Sequence, residues 1–385
     1  FYVFYQLKNS ISIVYYYVFF IIKFNIILII GNIMASIFKS KNYPIFQNVV
    51  YNTAYEAMNC KVIDIEIVQD ENTGLIYNNK FKSDIIDYQE NYHNEQHFSD
   101  VFKKHIFEVK NIIQKYFINR KILEIGCGDG YFLELLLKYG FDIYGMDPTY
   151  IGNNERIKKE YYNENNSREY NAFILRHVLE HIQDPYNFLY NLKKIDNNNS
   201  LIYIEVPSLE YINENCTFFD FYYEHVNYFR EIDFINMFDN ILVIDSFFNK
   251  QYIYLVAELS SLKLPVKTED FILNKNFLSK FYYCNDIIKN TKSKTVIWGC
   301  ASKGVIFSIF LNNVKTKVDY FVDINPYKLY KFMPLISDTS NYGIIESYND
   351  IKYKLDDDSI IFIMNDNYKN EIIDMTNNRF NYIVL

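Results

Sequence analysis

The stretch Glu124-Ile-Gly-Cys-Gly-Asp-Gly130 constrains this chain more than any other. It ends an apolar run, Lys121–Ile125, that reads as a strand, and it opens into Tyr131–Tyr139, which reads as a helix. Glycines at alternate positions let the backbone turn sharply and approach a ligand that a Cβ would exclude. In a dinucleotide-binding turn the spacing is G-x-G-x-x-G, and pyrophosphate sits on the helix N-terminus. Here the spacing is E-x-G-x-G-x-G, and an acid precedes the first glycine. A carboxylate at Glu124 repels pyrophosphate but can pair with a cationic amino-acid group. The next strand, Asp142–Met146, ends at Asp147, where a carboxylate can accept hydrogen bonds from both hydroxyls of a ribose.

The surrounding pattern predicts alternating strands and helices. From Ser99 onward Phe102, Ile106, Val109, Ile113 and Phe117 fall on one helical face. Gly140 closes the Tyr131–Tyr139 helix as a C-cap residue. Ala172–Arg176, Pro185–Lys193 and Leu201–Val206 continue as strand, helix and strand, which implies a mostly parallel sheet with helices on both faces. Ile241–Phe247 and Tyr252–Leu259 suit an antiparallel edge on that sheet. Beyond Pro265 a second α/β run follows: strand Thr295–Trp298, turn Gly299–Gly304, helix Val305–Leu311, and strands Val318–Asp323 and Ser359–Met364. Before the central region lie only short strand-like runs, Val62–Val68 and Gly74–Tyr77. The expected organisation is a lead-in unit at 34–98, a central unit at 99–262 and a smaller doubly wound unit at 263–385.

Charge and cysteines exclude several classes of protein. A net charge of −8 argues against a nucleic-acid partner, since phosphate binding needs a basic face. The five cysteines are scattered, with no C-x-x-C, so neither a disulfide framework nor a four-cysteine zinc site follows, and a cytoplasmic setting fits. Heavy use of Tyr, Ile, Asn and Lys runs through helices, strands and loops alike and reads as genomic bias. Ile11–Ile30 is apolar and about long enough to span a bilayer, but Lys23 and Asn25 interrupt it. Residues 1–33 are read as translated upstream sequence, with a membrane anchor as the alternative.

The glycine turn and the two acids resemble the class I S-adenosylmethionine-dependent methyltransferases, in which this loop cradles the methionine part and the second acid binds ribose. The resemblance implies S-adenosylmethionine as cofactor, held by Glu124, Gly126, Cys127, Gly128, Gly130, Asp147, Pro148 and Arg176. Further stretches narrow it: Arg176-His-Val-Leu-Glu-His-Ile-Gln-Asp-Pro185, Ile204-Glu-Val-Pro207, Tyr222-Tyr-Glu-His225 and Trp298-Gly-Cys-Ala-Ser-Lys-Gly304. Together these are similar to the sugar C-methyltransferases, whose best-understood members methylate C3 of nucleotide-linked 4-keto deoxysugars. That family combines a zinc-binding N-terminal domain, a methyltransferase domain and a Rossmann-like C-terminal domain. The fold so implied is α/β: a central Rossmann-like seven-stranded methyltransferase domain, a small N-terminal domain, and a second, smaller Rossmann-like domain at the C-terminus. The likeness runs from about residue 45 to residue 385.

The resemblance also assigns roles. His225 is the expected general base, with Tyr222 and Glu224 orienting it or the substrate, and His181 lies near the substrate. An ordinary histidine pKa near 6.5 suits proton abstraction at neutral pH. Tyr92, in the junction Asn91–His97, is the tyrosine expected to reach the active site, with a solvated linker as the alternative. One departure stands out: the family's paired N-terminal cysteines are missing, and only Cys60 stands in that region. One thiol cannot build a tetrahedral zinc site, so the lead-in unit is expected to be a metal-free lid and no metal is expected. His177-Val-Leu-Glu-His181 matches an H-x-x-E-H metallopeptidase pattern, but its place at a strand end favours the methyltransferase reading, with His177 and Glu180 structural. The turn at Trp298–Gly304, with Lys303, suits a phosphate of a nucleotide-sugar or is a purely structural turn. The alternative functions are an O-methyltransferase on another small molecule and a catalytically degenerate cofactor-binding protein.

Overall fold

The structure, a computed structural model, describes residues 36–86, 96–163, 169–195, 200–334 and 343–385. Tyr92 and the apolar stretch 11–30 lie outside them. Three antiparallel strands come first: β1 (Ser36–Pro44), β2 (Val62–Gln69) and β3 (Ile76–Asn78). Five strands of the central sheet then run parallel: β4 (Lys121–Ile125), β5 (Asp142–Met146), β6 (Ile157–Lys158), β7 (Ala172–Arg176) and β8 (Leu201–Pro207). A two-residue strand, β9 (Asn227–Tyr228), leaves this region to pair with β3. β10 (Ile241–Phe247) and β11 (Tyr252–Glu258) close the central sheet, with β11 antiparallel to both β8 and β10. The seven strands lie in the order β10-β11-β8-β7-β4-β5-β6.

β4, β7 and β8 are buried on both faces, as their continuous apolar runs require. Alternation sends Ile122, Ile174 and Tyr203 to one side, where they meet Phe102, Ile106, Val109 and Ile113 of the Asp100–Tyr116 helix. Leu123, Leu175 and Ile204 go to the other, against Leu189 and Leu192 of the Pro185–Ile195 helix. The Asp100–Tyr116 helix begins at Ser99, whose hydroxyl accepts the amide of Phe102 at 3.3 Å and so satisfies one orphan donor of the first turn.

The C-terminal sheet is wholly parallel: β12 (Thr295–Trp298), β13 (Tyr320–Val322), β14 (Ile345–Glu346), β15 (Ile360–Ile363) and β16 (Asn381–Val384), in the order β14-β13-β12-β15-β16. β14 and β16 add to the three strands read from the sequence. The helix expected at Val305–Leu311 begins earlier, at Ser302, and runs to Asn313.

The lead-in unit does not close on itself at residue 98. Its sheet takes its fourth strand from β9. Its core residues Tyr43, Ile65 and Ile67 join one cluster with Phe218, Phe219 and Phe221 and with Ile297 and Phe307 of the C-terminal unit. Among the described residues no helix is long and apolar enough to cross a membrane.

Gly304 sits inside the Ser302–Asn313 helix, where a Cβ would lie 2.2 Å from the carbonyl oxygen of Gly299. Its absence lets the helix press against the turn that follows β12. Overpacking typically costs about 1–3 kcal/mol, so Gly304→Ala should lower the melting temperature by several degrees in calorimetry. An unchanged midpoint would show that this close approach does not matter.

Candidate active site

Strand order in the central sheet reverses between β4 and β7, and ligands of such sheets bind in the crevice at the carboxyl ends of the strands there. The glycine turn lies in that crevice. Gly126, Gly128 and Gly130 have φ of +72°, +57° and +84°. A Cβ on Gly126 would come within 2.4 Å of Val178 Cγ2, whereas one on Gly128 would meet no atom within 4 Å and would stand in the cleft. Cys127, Pro148 and Arg176 line the same cleft, together with Phe81 and Ser83 of the lead-in unit.

Asp147 is clamped from two sides. Its Oδ2 accepts the amide of Gly128 at 2.8 Å, and its Oδ1 accepts the amide of Thr149 at 2.7 Å. Glu124 is 2% exposed, and its Oε2 has no hydrogen-bond partner among the described residues. Burial pushes its pKa up to about 8, with Arg176 opposing the rise. A buried carboxyl oxygen of this kind is matched by a group that brings positive charge and donors. An amino-acid ammonium beside a glycine cradle, with a ribose near Asp147, meets that requirement, so the residues present fit S-adenosylmethionine.

A second cavity adjoins the first. Tyr222, Glu180 and His225 line it from the central unit, and Gly299, Ser302 and Asp323 from the C-terminal unit. His177 and His181 line both cavities. His225 is 6% exposed, with the Tyr222 ring 4.0 Å and the His181 ring 4.8 Å from its own. Burial, reinforced by His181 and His177, holds its pKa well below the usual histidine range. His181 Nδ1 lies 3.0 Å from the carbonyl oxygen of Glu224. A carbonyl only accepts, so Nδ1 carries the proton and Nε2 keeps its lone pair.

The sequence expectations meet the structure unevenly here. Tyr222, His225 and His181 come together. Glu224, although buried, lines neither cavity, and its carboxylate faces the amide of Gln47 at 3.5 Å. Its backbone carbonyl oxygen lies against His181 Nδ1. Lys303 is bound to Asp220, Nζ to Oδ2 at 3.0 Å, so its charge is already matched.

His177 and Glu180, read as structural, both line the second cavity. His177 has φ +53°, and its Nε2 lies 3.1 Å from Glu205 Oε1. Burial would lower its pKa, but Glu180 and Glu205 carry it up to about 9. Glu205 and His105, which the sequence reading did not single out, carry a signal that could have found them. Glu205 is an acid within an apolar strand, and His105 sits on the apolar face of a helix between Phe102 and Ile106. Charges in such places are paired. They face each other at 3.0 Å.

Capture of an ammonium requires Glu124 to ionise. At pH 7 a group with a pKa of about 8 is mostly protonated, so cofactor binding should release close to one proton per site. Titration calorimetry in buffers of different ionisation enthalpy measures this release. Glu124→Gln should bind more weakly and release none; equal release by both proteins would refute the assignment.

Residues 94–241 match the family model described as a methyltransferase domain. No protein of curated function matches the sequence. Among solved structures, the chain is similar to a SAM dependent methyltransferase from Archaeoglobus fulgidus, at 18% identity over 43% of this chain and 100% of that one, with a TM-score of 0.28. It is also similar to the methyltransferase domain of bacterial CtHen1, at 20% identity over 41% of this chain and 100% of that one, with a TM-score of 0.29. A protein from Pyrococcus horikoshii is 13% identical over 45% of this chain and 99% of that one, with a TM-score of 0.35. Residues 94–241 thus carry the likeness of a methyltransferase domain.

Proposed function

We propose that the enzyme methylates a carbon atom beside the keto group of a nucleotide-linked deoxysugar, and that His225 makes that carbon nucleophilic. When bound, S-adenosylmethionine supplies an electrophilic methyl group on its sulfonium. The observation that carries the reading is the state of His225: buried, held neutral, and lining a cavity that shares His177 and His181 with the donor cleft. A saturated carbon has no lone pair to attack with. A keto group beside it makes its proton acidic, and a neutral imidazole can take that proton to leave an enolate.

Neighbouring groups suit that intermediate. Burial holds the Tyr222 phenol well above its usual pKa, so it stays protonated and can donate to an enolate oxygen. His177 carries positive charge at neutral pH on the wall common to both cavities. An oxygen acceptor would need no carbon acid and no such surroundings. The motifs shared with sugar C-methyltransferases support a keto-sugar substrate, and the net charge of −8 supports a small molecule over a nucleic acid.

Exchange of the substrate's carbon-bound proton with solvent deuterium, followed by mass spectrometry in the absence of methyl transfer, isolates the base. Loss of a general base costs a factor of about 100 to 10,000, and His225→Ala should slow exchange by that much. Wild-type exchange in the variant would remove His225 from the role. A panel of nucleotide-linked keto sugars, screened for a gain of one methyl, tests the substrate class.

A further inference from the structure

The H-x-x-E-H pattern at His177–His181 is put to a different use from the one its spacing suggests. In that pattern the two histidines share a metal, but here His177 has φ +53° and gives its Nε2 to Glu205 at 3.1 Å. The fold gathers Glu180, His181 and His225 instead, and one ligand atom from each lies within 4.8 Å of the others. Two contacts of backbone carbonyls tie together the segments that carry them. The carbonyl of Glu180 accepts the amide of Val226 at 2.8 Å, and that of Glu224 lies 3.0 Å from His181 Nδ1. All three residues line the second cavity. The expectation that the chain holds no metal rests on missing cysteine pairs and on the His177–His181 pair, and this cluster is neither.

Two further observations point to a cation there. Glu180 is 1% exposed, and neither of its carboxylate oxygens has a hydrogen-bond partner among the described residues. His177 Nδ1 stands 3.5 Å from Oε1, an ion-pair distance, while the rest of that ring is engaged by Glu205. A buried carboxylate in this position is relieved by a positive charge that its oxygens can bond. The second observation is the tautomer of His181. With Nδ1 donating to a backbone carbonyl, Nε2 presents its electron pair, which is how metal-bound histidines are held. Two imidazole nitrogens and a carboxylate oxygen suit zinc and its neighbours, whereas magnesium and calcium take oxygen ligands. Zinc holds its ligands at about 2.0–2.2 Å, and small side-chain rotations close the present spacing to that.

We propose that Glu180, His181 and His225 bind a divalent zinc-type ion, and that this ion and proton abstraction by His225 exclude each other. The imidazole nitrogen that bonds the ion has no electron pair left for a carbon-bound proton. Zinc thus arrests the chemistry, and its removal restores it. Metal binding stands on the cluster alone; the exclusion rests on His225 being the base of the proposed function.

Calorimetry on the untagged full chain, first stripped with a chelator, measures Zn²⁺ binding. One ion should bind per chain, and Glu180→Gln and His225→Ala should each weaken it tenfold or more. Co²⁺ as a probe should give visible d–d absorption that both variants lose. Unchanged affinity for S-adenosylhomocysteine in both variants shows that they are folded. No binding by the wild type, or wild-type affinity in both variants, refutes the site. In the wild type, deuterium exchange at the substrate carbon should fall as Zn²⁺ fills the site. Exchange at the metal-free rate with the site filled would refute the exclusion, and His225 as the base with it, while the metal site stands.

Discussion

Glu205 is a fully buried carboxylate on β8, at the carboxyl end of the central sheet. Burial alone would raise its pKa, yet His105 and Arg176 hold it well below the usual carboxylate range. Tyr203 donates to its Oε2 at 2.6 Å, and His105 Nε2 lies 3.0 Å from its Oε1. One side chain thus joins the Asp100–Tyr116 helix, the end of β7 and β8 itself. Removing one member of such a buried set typically costs about 3–5 kcal/mol, because it strands the remaining charge. The amide of His177 donates to the backbone oxygen of Glu205 at 2.8 Å, which fixes where the chain leaves β7. Four residues later that same excursion delivers His181. The carbonyl of Glu180 in turn accepts the amide of Val226, next to His225. The position of the imidazole pair therefore follows from two main-chain bonds, one to Glu205 and one to Glu180.

The donor cleft presents acids, Glu124 and Asp147, to a cation. His177 and His181 form the wall between that cleft and the second cavity, and their electrostatic surroundings differ although they are four residues apart. His177 sits between two carboxylates and is charged, whereas burial lowers the pKa of His181 and keeps it neutral.

Much of this was legible in the sequence, and what was not has identifiable causes. β4 and β5 run between the residues read for them because sharp turns bound them, and glycine turns announce themselves locally. The donor cleft was readable for the same reason, since its residues are carried by one turn and one strand end. Glu224 was harder. Nothing in Tyr-Tyr-Glu-His says which of four neighbouring side chains a bend will direct inward, and one carboxylate oxygen of Glu224 meets the amide of Gln47, 177 positions away in the chain. Lys303 likewise looked like a phosphate ligand until Asp220 was brought against it by tertiary packing.

The pairing of β3 with β9 has a consequence for the order in which this molecule is made. The outer edge of β3 stays open until Asn227 and Tyr228 have been synthesised, about 150 residues later. At ribosomal rates of roughly 5–20 residues per second, that edge waits on the order of 10 s for its partner. An unpaired strand edge is a template for pairing with other chains, and lysines beside it discourage such encounters. Lys80 and Lys82 follow β3 directly, and in the finished protein the amide of Lys82 donates to the hydroxyl of Tyr223, two residues before His225. On the nascent chain the same segment stands as a guarded margin, held in reserve for the arrival of the segment that carries Tyr223 and β9.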